Sequence, residues 1–405
     1  MSRFNVTIMT DISRFYPTIY THSIAWAIYG KSSAKSLYQQ HKLKGTLADN
    51  LDKLARNAQR AQTMGLPIGP QTSRILAEIV AVGIENDIKR NVKNIELVRN
   101  VDDILIGVPT NMDPKSYFSK IIPSVKNFEL DINFEKTKIM DSSFIYSGDW
   151  DVELREFKMT LSAVRQRNYI EHYFKRALQL HSENPEDNVL KYAINRSRSF
   201  MIHNNNWKYY ESFLLRFSRI NGSCIPGVCQ ILINERLAKR NLDNESISKF
   251  IHDTIEAHIE SYHYEEIAWV LFLSKALRIS IKRRINKKLE GIESGVCALL
   301  LMDINKRGLL DGNFNTNLWL KWLNADGFKS NMWLVAYEAP LKGWLIPKNK
   351  SYLNKGTHAG AMYSKKISFY DDSKNVRRTK IGNLWYKIEE ERARYALRLF
   401  RSIGL

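Results

Sequence analysis

The chain has 405 residues, 44% of them hydrophobic, enough for two domains that each bury their own core. Its 61 Lys and Arg outweigh 42 Asp and Glu by a net charge of +19, which points to a polyanionic partner, because neutralised phosphates release condensed counterions; solubility is the plainer use of such charge, and charge alone does not separate DNA from RNA or anionic lipid. Cys224, Cys229 and Cys297 are odd in number and contain no CxxC pair, which excludes a disulfide framework or cysteine zinc site and fits a reducing cytoplasm. The opening MSRFNVTIMTDIS is polar throughout and does not read as a signal peptide. The apolar stretch Gly295 to Met302 is too short to cross a bilayer, so no membrane partner is expected.

In chain order, Phe4 to Met9 (FNVTIM) is short, apolar and β-branched, as a buried strand should be. Tyr20 to Tyr29 and the polar Lys44 to Met64 read as helices. Ser73 to Ile88 reads as a longer one, with Ile75, Ile79, Val82 and Asn86 near one face. Ile95 to Val98 and Ile104 to Val108 flank a tight acidic turn, a hairpin pattern. Pro114 to Asn127 reads as helix and Phe144 to Trp150 as strand. Strands and helices alternating around a hairpin predict an α+β sheet with helices on one face. From about Leu161 the pattern becomes helix after helix, as in Arg165 to His181, Trp207 to Ser218, Ile247 to Ser261 and Glu265 to Leu277, with lengths like those of an α-solenoid or irregular bundle but no fixed period. Asn349 to Thr379 is polar and rich in Gly and Lys, as an exposed loop would be. Leu384 to Ile403 reads as a final amphipathic helix.

The chemistry concentrates in three carboxylates. Asp11 ends the first strand, and Asp102 and Asp103 occupy the hairpin turn. A strand end facing a hairpin tip brings carboxylates to one point, which suits oxygen-ligated Mg²⁺ ions in nucleotidyl transfer. Alternation along an extended strand makes Asp103 the weaker ligand of the pair. A bare Asp pair in a turn is ordinarily turn chemistry, and Asp11 alone can serve as a helix cap.

Together the segments carry more information than separately. TDISRFYPTIYTHS resembles motif A of reverse transcriptases, GLPIGPQTSRILAEI motif B, RNVDDILIG motif C and ELDINFEKTKI motif D, while FIYSGDW stands in the place of the primer-grip hairpin, motif E. The resemblance covers about Phe4 to Trp150, in family order. The details of motif B, with RFSRINGS and NMWLVAYEAP in the helical half, resemble most the bacterial abortive-infection and defence-associated reverse transcriptases. The resemblance implies Asp11, Asp102 and Asp103 as metal ligands, Lys136 as the residue that neutralises or protonates the leaving pyrophosphate, and Tyr16, five residues after Asp11, as the ring that excludes a ribose 2′-hydroxyl. It implies Gly69 and Ser73 beside the nucleotide, where Gly permits close backbone approach. Phe15 reads as core.

Three departures stand out. Basic fingers residues that precede motif A in the family are missing from the chain, which begins almost at motif A; the usual Gln of motif B is Ile68; and the aromatic of the Tyr-x-Asp-Asp motif is Asn100.

Elsewhere, His258, His263, Glu265 and Glu266 suggest a metal site, but histidines five apart do not share a helical face. The basic runs IKRRINKK (281–288) and NVRRTK (375–380) suit either a phosphate backbone or a solvated face. Trp207, Tyr209, Tyr210, Trp319, Trp322 and Trp333 suit base stacking or, at helical spacing, core.

These readings predict an α+β polymerase palm with its fingers largely missing, residues 1–155, followed by an all-α, helical-repeat-like C-terminal domain, residues 156–405, standing where a thumb would be. The expected function is Mg²⁺-dependent DNA polymerisation from dNTPs in bacterial antiphage defence, on DNA or RNA. The family resemblance extends to protein-primed, template-independent synthesis and is compatible with a homo-oligomer. The alternative is an N-terminally incomplete, non-catalytic nucleic-acid-binding scaffold.

Overall fold

The computed structural model describes residues 4–109, 113–142 and 150–374. The chain divides into two compact units, Met1–Asp149 and Trp150–Leu405. In the first, strands β1 (Val6–Asp11), β2 (Glu96–Asn100), β3 (Asp103–Val108) and β4 (Lys138–Asp141) form an antiparallel sheet in the order β2-β3-β1-β4. Thr7 and Ile8 are adjacent, point to opposite faces and are both fully buried, so β1 is covered on both sides. Its hydroxyls are satisfied across the sheet: Thr7 Oγ1 meets Ser142 Oγ at 2.8 Å and Thr10 Oγ1 meets Thr137 Oγ1 at 2.8 Å.

Among the described residues six helices accompany the sheet: α1 (Phe15–Thr18), α2 (Ser23–Tyr29), α3 (Lys31–Gln39), α4 (Leu47–Asn57), α5 (Gln71–Asn91) and α6 (Pro114–Lys126). The helix expected over 44–64 is shorter. Thr46 caps it by accepting from Asp49 N–H, and Arg60 and Ala61 adopt left-handed backbone after it. The face predicted for α5 is wrong. Ile75 and Val82 are exposed, whereas Ala77, Val80, Ala81, Ile84 and Ile88 are buried. The contact with α2 is tight at one point: a Cβ on Gly83 would lie 2.7 Å from Ala27 Cβ, so glycine is required there, while the core of α5 is completed by Val80, Ile84 and Ile88 rather than by Ile75 and Val82.

The second unit is helical: α7 (Trp150–Glu156), α8 (Ala163–Glu183), α9 (Val189–Ser197), α10 (Asn204–Ile220), α11 (Ile225–Leu237), α12 (Asn244–Ile259), α13 (Tyr264–Leu277), α14 (Arg283–Leu289), α15 (Gly295–Lys306), α16 (Ala325–Phe328), α17 (Trp333–Leu341) and α18 (His358–Ser364). Among its described residues it also holds a parallel bridge, Ile281 to Leu310, which an all-α reading omits. Among the described residues no helix is long and apolar enough to cross a membrane. All three cysteines are free and buried.

The stretch expected to be a loop from Asn349 contains the 3₁₀ turn Ser351–Leu353 and α18, because Tyr352, Leu353 and Ala359 pack with Ala336 and Tyr337 of α17. Trp207, Tyr210 and Trp319 are core, while Trp333 is 37% exposed. In α14, Arg284 and Lys288 both reach Glu256 at 2.9 and 3.2 Å, so two charges of IKRRINKK are spent within the protein. Residues 144–149 of the expected primer-grip strand, the run NVRRTK and the helix expected over Leu384 to Ile403 lie outside the described residues.

Candidate active site of the first unit

The register of β1 against β3 pairs Asp11 with Asp103. Directly opposed residues of an antiparallel pair point to the same face, so these two carboxylates share one side of the sheet. Asp102 belongs to the turn before β3, after Val101 in the left-handed region at φ 59°. Its carbonyl accepts from Ile12 N–H at 3.2 Å, which ties the turn to the end of β1. Asp102 and Asp103 do not lie on one extended strand, so alternation does not make Asp103 the weaker ligand.

Arg99 holds this turn from β2. Its guanidinium donates to Val101 O at 3.0 Å and to Glu78 on α5 at 2.6 Å, with Glu85 at 3.5 Å, and its side chain is only 7% exposed. Nothing in the motif reading singled out Arg99; a lone arginine before an acidic turn carries no pattern.

Lys136 stands in the turn preceding β4. Its Nζ lies 3.0 Å from Asp11 Oδ2, and that bond raises its pKa. Asp11 is 8% exposed, and its Oδ1 is buried with no hydrogen-bond partner. Burial first, and then the repulsion of Asp11 and Asp103, push the Asp102 carboxyl up, with Lys136 partly offsetting them. Asp103 is pushed up by burial and by Asp11 in the same way. The cluster is thus three carboxylates in electrostatic contact, balanced by one cation.

The remaining predicted residues lie on two joined segments. Tyr16, in α1, is half-buried with its ring 5.7 Å edge-on from Phe15, and Phe15 is core at 2% exposure. The motif B segment docks on α1: Gly65 N–H donates to Ile19 O and Leu66 N–H to Tyr16 O, both at 2.8 Å. Gly65 has φ 88° and a Cβ there would sit 3.0 Å from Pro17 O, so only glycine allows this approach. Gly69, at φ 123°, is exposed with open space where a Cβ would be, and Ile68 beside it is 76% exposed. Ser73 is buried in the first turn of α5. Asn100, in the place of the motif C aromatic, pairs with Asp103 between β2 and β3.

Residues 5–154 match the family model described as reverse transcriptase (RNA-dependent DNA polymerase). The match supports a reverse-transcriptase-like polymerase domain in this part of the chain, with the nucleotide and nucleic-acid binding that such a domain implies. At the level of the family it implies RNA-directed nucleotidyl transfer, a reaction these enzymes generally run with divalent metal ions. No curated protein matches the chain.

Proposed function

We propose that the chain is a reverse-transcriptase-like DNA polymerase of bacterial antiphage defence, that Asp11, Asp102 and Asp103 hold its catalytic metal ions, and that its synthesis is either RNA-directed or template-independent, in the second case primed from a protein tyrosine. The observation that carries the metal site is the Asp11–Asp103 pairing, with Asp102 on the adjoining tip and both turn carboxyls shifted upward by burial and mutual repulsion. The defence setting and the protein-primed, template-independent mode rest on the resemblance of motif B, RFSRINGS and NMWLVAYEAP, together with the helical second unit, in which α8 contacts α9 and α12 contacts α13.

The site suits Mg²⁺. Its donors are all carboxylate oxygens, and the buried Asp11 Oδ1 is an acceptor without a donor. Bound there, the ions would activate a hydroxyl nucleophile and offset charge on the phosphate. The residues of the chain do the rest. Lys136, released from Asp11 Oδ2, neutralises the departing pyrophosphate. Tyr16 sets a ring against the sugar and excludes a 2′-hydroxyl, so dNTPs are selected by a clash. Gly69 leaves open space for the nucleotide and Ser73 anchors the start of α5 beneath it. The first unit, Met1–Asp149, carries this chemistry, ahead of a helical domain, in a cytoplasmic protein.

The test is incorporation of single labelled dNTPs with Mg²⁺, with and without a nucleic-acid template. Asp11→Ala and Asp102→Ala should abolish incorporation while far-UV circular dichroism stays unchanged; full incorporation by both variants would remove the assignment. Tyr16→Ala should admit rNTPs, and an unchanged dNTP-to-rNTP ratio would leave Tyr16 a packing residue. A second reading, a non-catalytic nucleic-acid-binding scaffold, draws on Lys136, whose ammonium already sits on Asp11 where a metal would. Binding of nucleic acid without any incorporation by the unaltered chain would favour it.

A further inference from the structure

We propose that the corner between α12 and α13 binds one divalent transition-metal ion of the zinc type through His258, His263 and Glu266. The spacing of five that argues against a shared helical face does not apply, because the residues are not on one helix. α12 ends at Ile259 and α13 begins at Tyr264. Between them Tyr262 adopts left-handed backbone at φ 56°, and His263 N–H donates to His258 O at 3.1 Å. The turn folds His263 back onto His258, and Glu266 follows in the first turn of α13.

The ligand geometry is close to that of an ion site. His258 Nδ1 and His263 Nδ1 are 3.1 Å apart, and one donor atom from each of the three residues lies within 4.8 Å of the others. A tetrahedral zinc ion, with bonds of about 2.0–2.2 Å, separates its ligands by about 3.3–3.6 Å. The observed spacings bracket that range, so small rotations of three partly exposed side chains complete the site. Two neutral imidazoles and one carboxylate suit zinc rather than Mg²⁺ or Ca²⁺, which prefer oxygen alone. The lone pair of at least one Nδ1 already faces the other ring, since a hydrogen bond between two such nitrogens has one acceptor. Gly222 closes one side: a Cβ there would lie 3.4 Å from Glu266 Oε1 and 3.5 Å from His258 Cε1, so its bare backbone walls the cluster. Three protein ligands leave the fourth position to water. The ion clamps the α12–α13 corner.

The site is independent of the palm carboxylates, and the experiment separates them. The full chain is titrated with Co²⁺, whose visible bands are intense in a four-coordinate nitrogen and oxygen site. One Co²⁺ should give these bands, one Zn²⁺ should displace it, and Zn²⁺ should raise the melting temperature. The bands should persist in the Asp11→Ala, Asp102→Ala double variant and vanish in His258→Ala and in His263→Gln. His263 is exposed, so its replacement removes a ligand without removing core. Glu266→Gln should weaken Zn²⁺ binding by about tenfold or more. Absence of the bands, their survival in both histidine variants, or their loss with the aspartates would each overturn the proposal.

Discussion

Arg99 illustrates a residue whose role in the site is carried by others. Its bond to Val101 O fixes the backbone one residue before Asp102, and its ion pair with Glu78 anchors that turn to α5. A misplacement of about 1 Å can cost about 10²-fold in rate. Arg99→Met should therefore lower kcat for dNTP incorporation by up to about 10²-fold with little change in KM for the nucleotide; single-turnover kinetics read the split, and a loss confined to KM would assign Arg99 to substrate binding instead. The carboxylates themselves trade stability for function. With Asp102 and Asp103 pushed upward, the folded chain binds protons more tightly than the unfolded one. Their contribution is then favourable at low pH and is lost as pH rises from the ordinary carboxylate value through the folded one. Asp102→Asn should melt above the unaltered protein at pH 7 and alongside it near about pH 3, where the carboxyls are protonated in both states. A lower melting temperature for the variant at pH 7 would mean that the Asp102 charge is stabilising.

At the level of elements, α5 poses a conflict between propensity and packing. Ala is favoured over Gly in a helix interior by about 1 kcal/mol. At Gly83, however, a methyl would lie 2.7 Å from Ala27 Cβ and 2.8 Å from Ala27 Cα, and backbone cannot swing aside. Overpacking costs about 1–3 kcal/mol, so Gly83→Ala should destabilise the first unit in urea melts despite the better helix former. The same contact is part of what the sequence left unreadable in this helix. Periodicity marks which residues are apolar, and Ile75 and Val82 are apolar, but it does not reveal which apolar stripe is buried, nor that Ala27 comes close enough at Gly83 to demand glycine. The first strand, the hairpin and the acidic residues at their ends were legible because β-branched runs and a tight turn are local signals. Lys136 on Asp11 and His263 on His258 were not, since each depends on where a turn sends the chain. The motif order did bring Lys136 forward, though only by resemblance. In α10, Glu211 is 2% exposed and burial pushes its carboxyl up to about 7. Its folded value lies above the unfolded one, so stability falls as pH rises from about 4.5 to about 7. Glu211→Gln should flatten that slope in melts taken across this window; an unchanged slope would show that Glu211 is charged and compensated in the fold.

For the whole molecule, charge is the feature that no single site explains. The net +19 survives a large amount of internal pairing: Arg284 and Lys288 on Glu256, Lys275 and Arg307 on Asp303, Arg176 on Glu153 and Arg99 on Glu78. Lys275 and Asp303 are both nearly fully buried, 5% and 3% exposed, so that pair serves the core and adds nothing to the outer field. What remains is cation in excess over anion on the outside of a chain whose first unit implies nucleic-acid binding. Such binding is driven by counterion release and weakens with salt in proportion to the phosphates neutralised, with a log–log slope of about −0.9 per contact on duplex DNA and about −0.7 on single strands. We expect affinity for both DNA and RNA to fall about 10³-fold or more between 50 and 200 mM salt, as for proteins making six or more phosphate contacts. The loss should be little changed by Asp102→Ala, because that carboxylate handles chemistry rather than the backbone. Fluorescence anisotropy with labelled oligonucleotides of fixed length, across that salt range, measures the slope directly. A slope near zero would mean that the surplus charge serves solubility, and that nucleic acid is held by base and sugar contacts close to Asp11, Asp102 and Asp103.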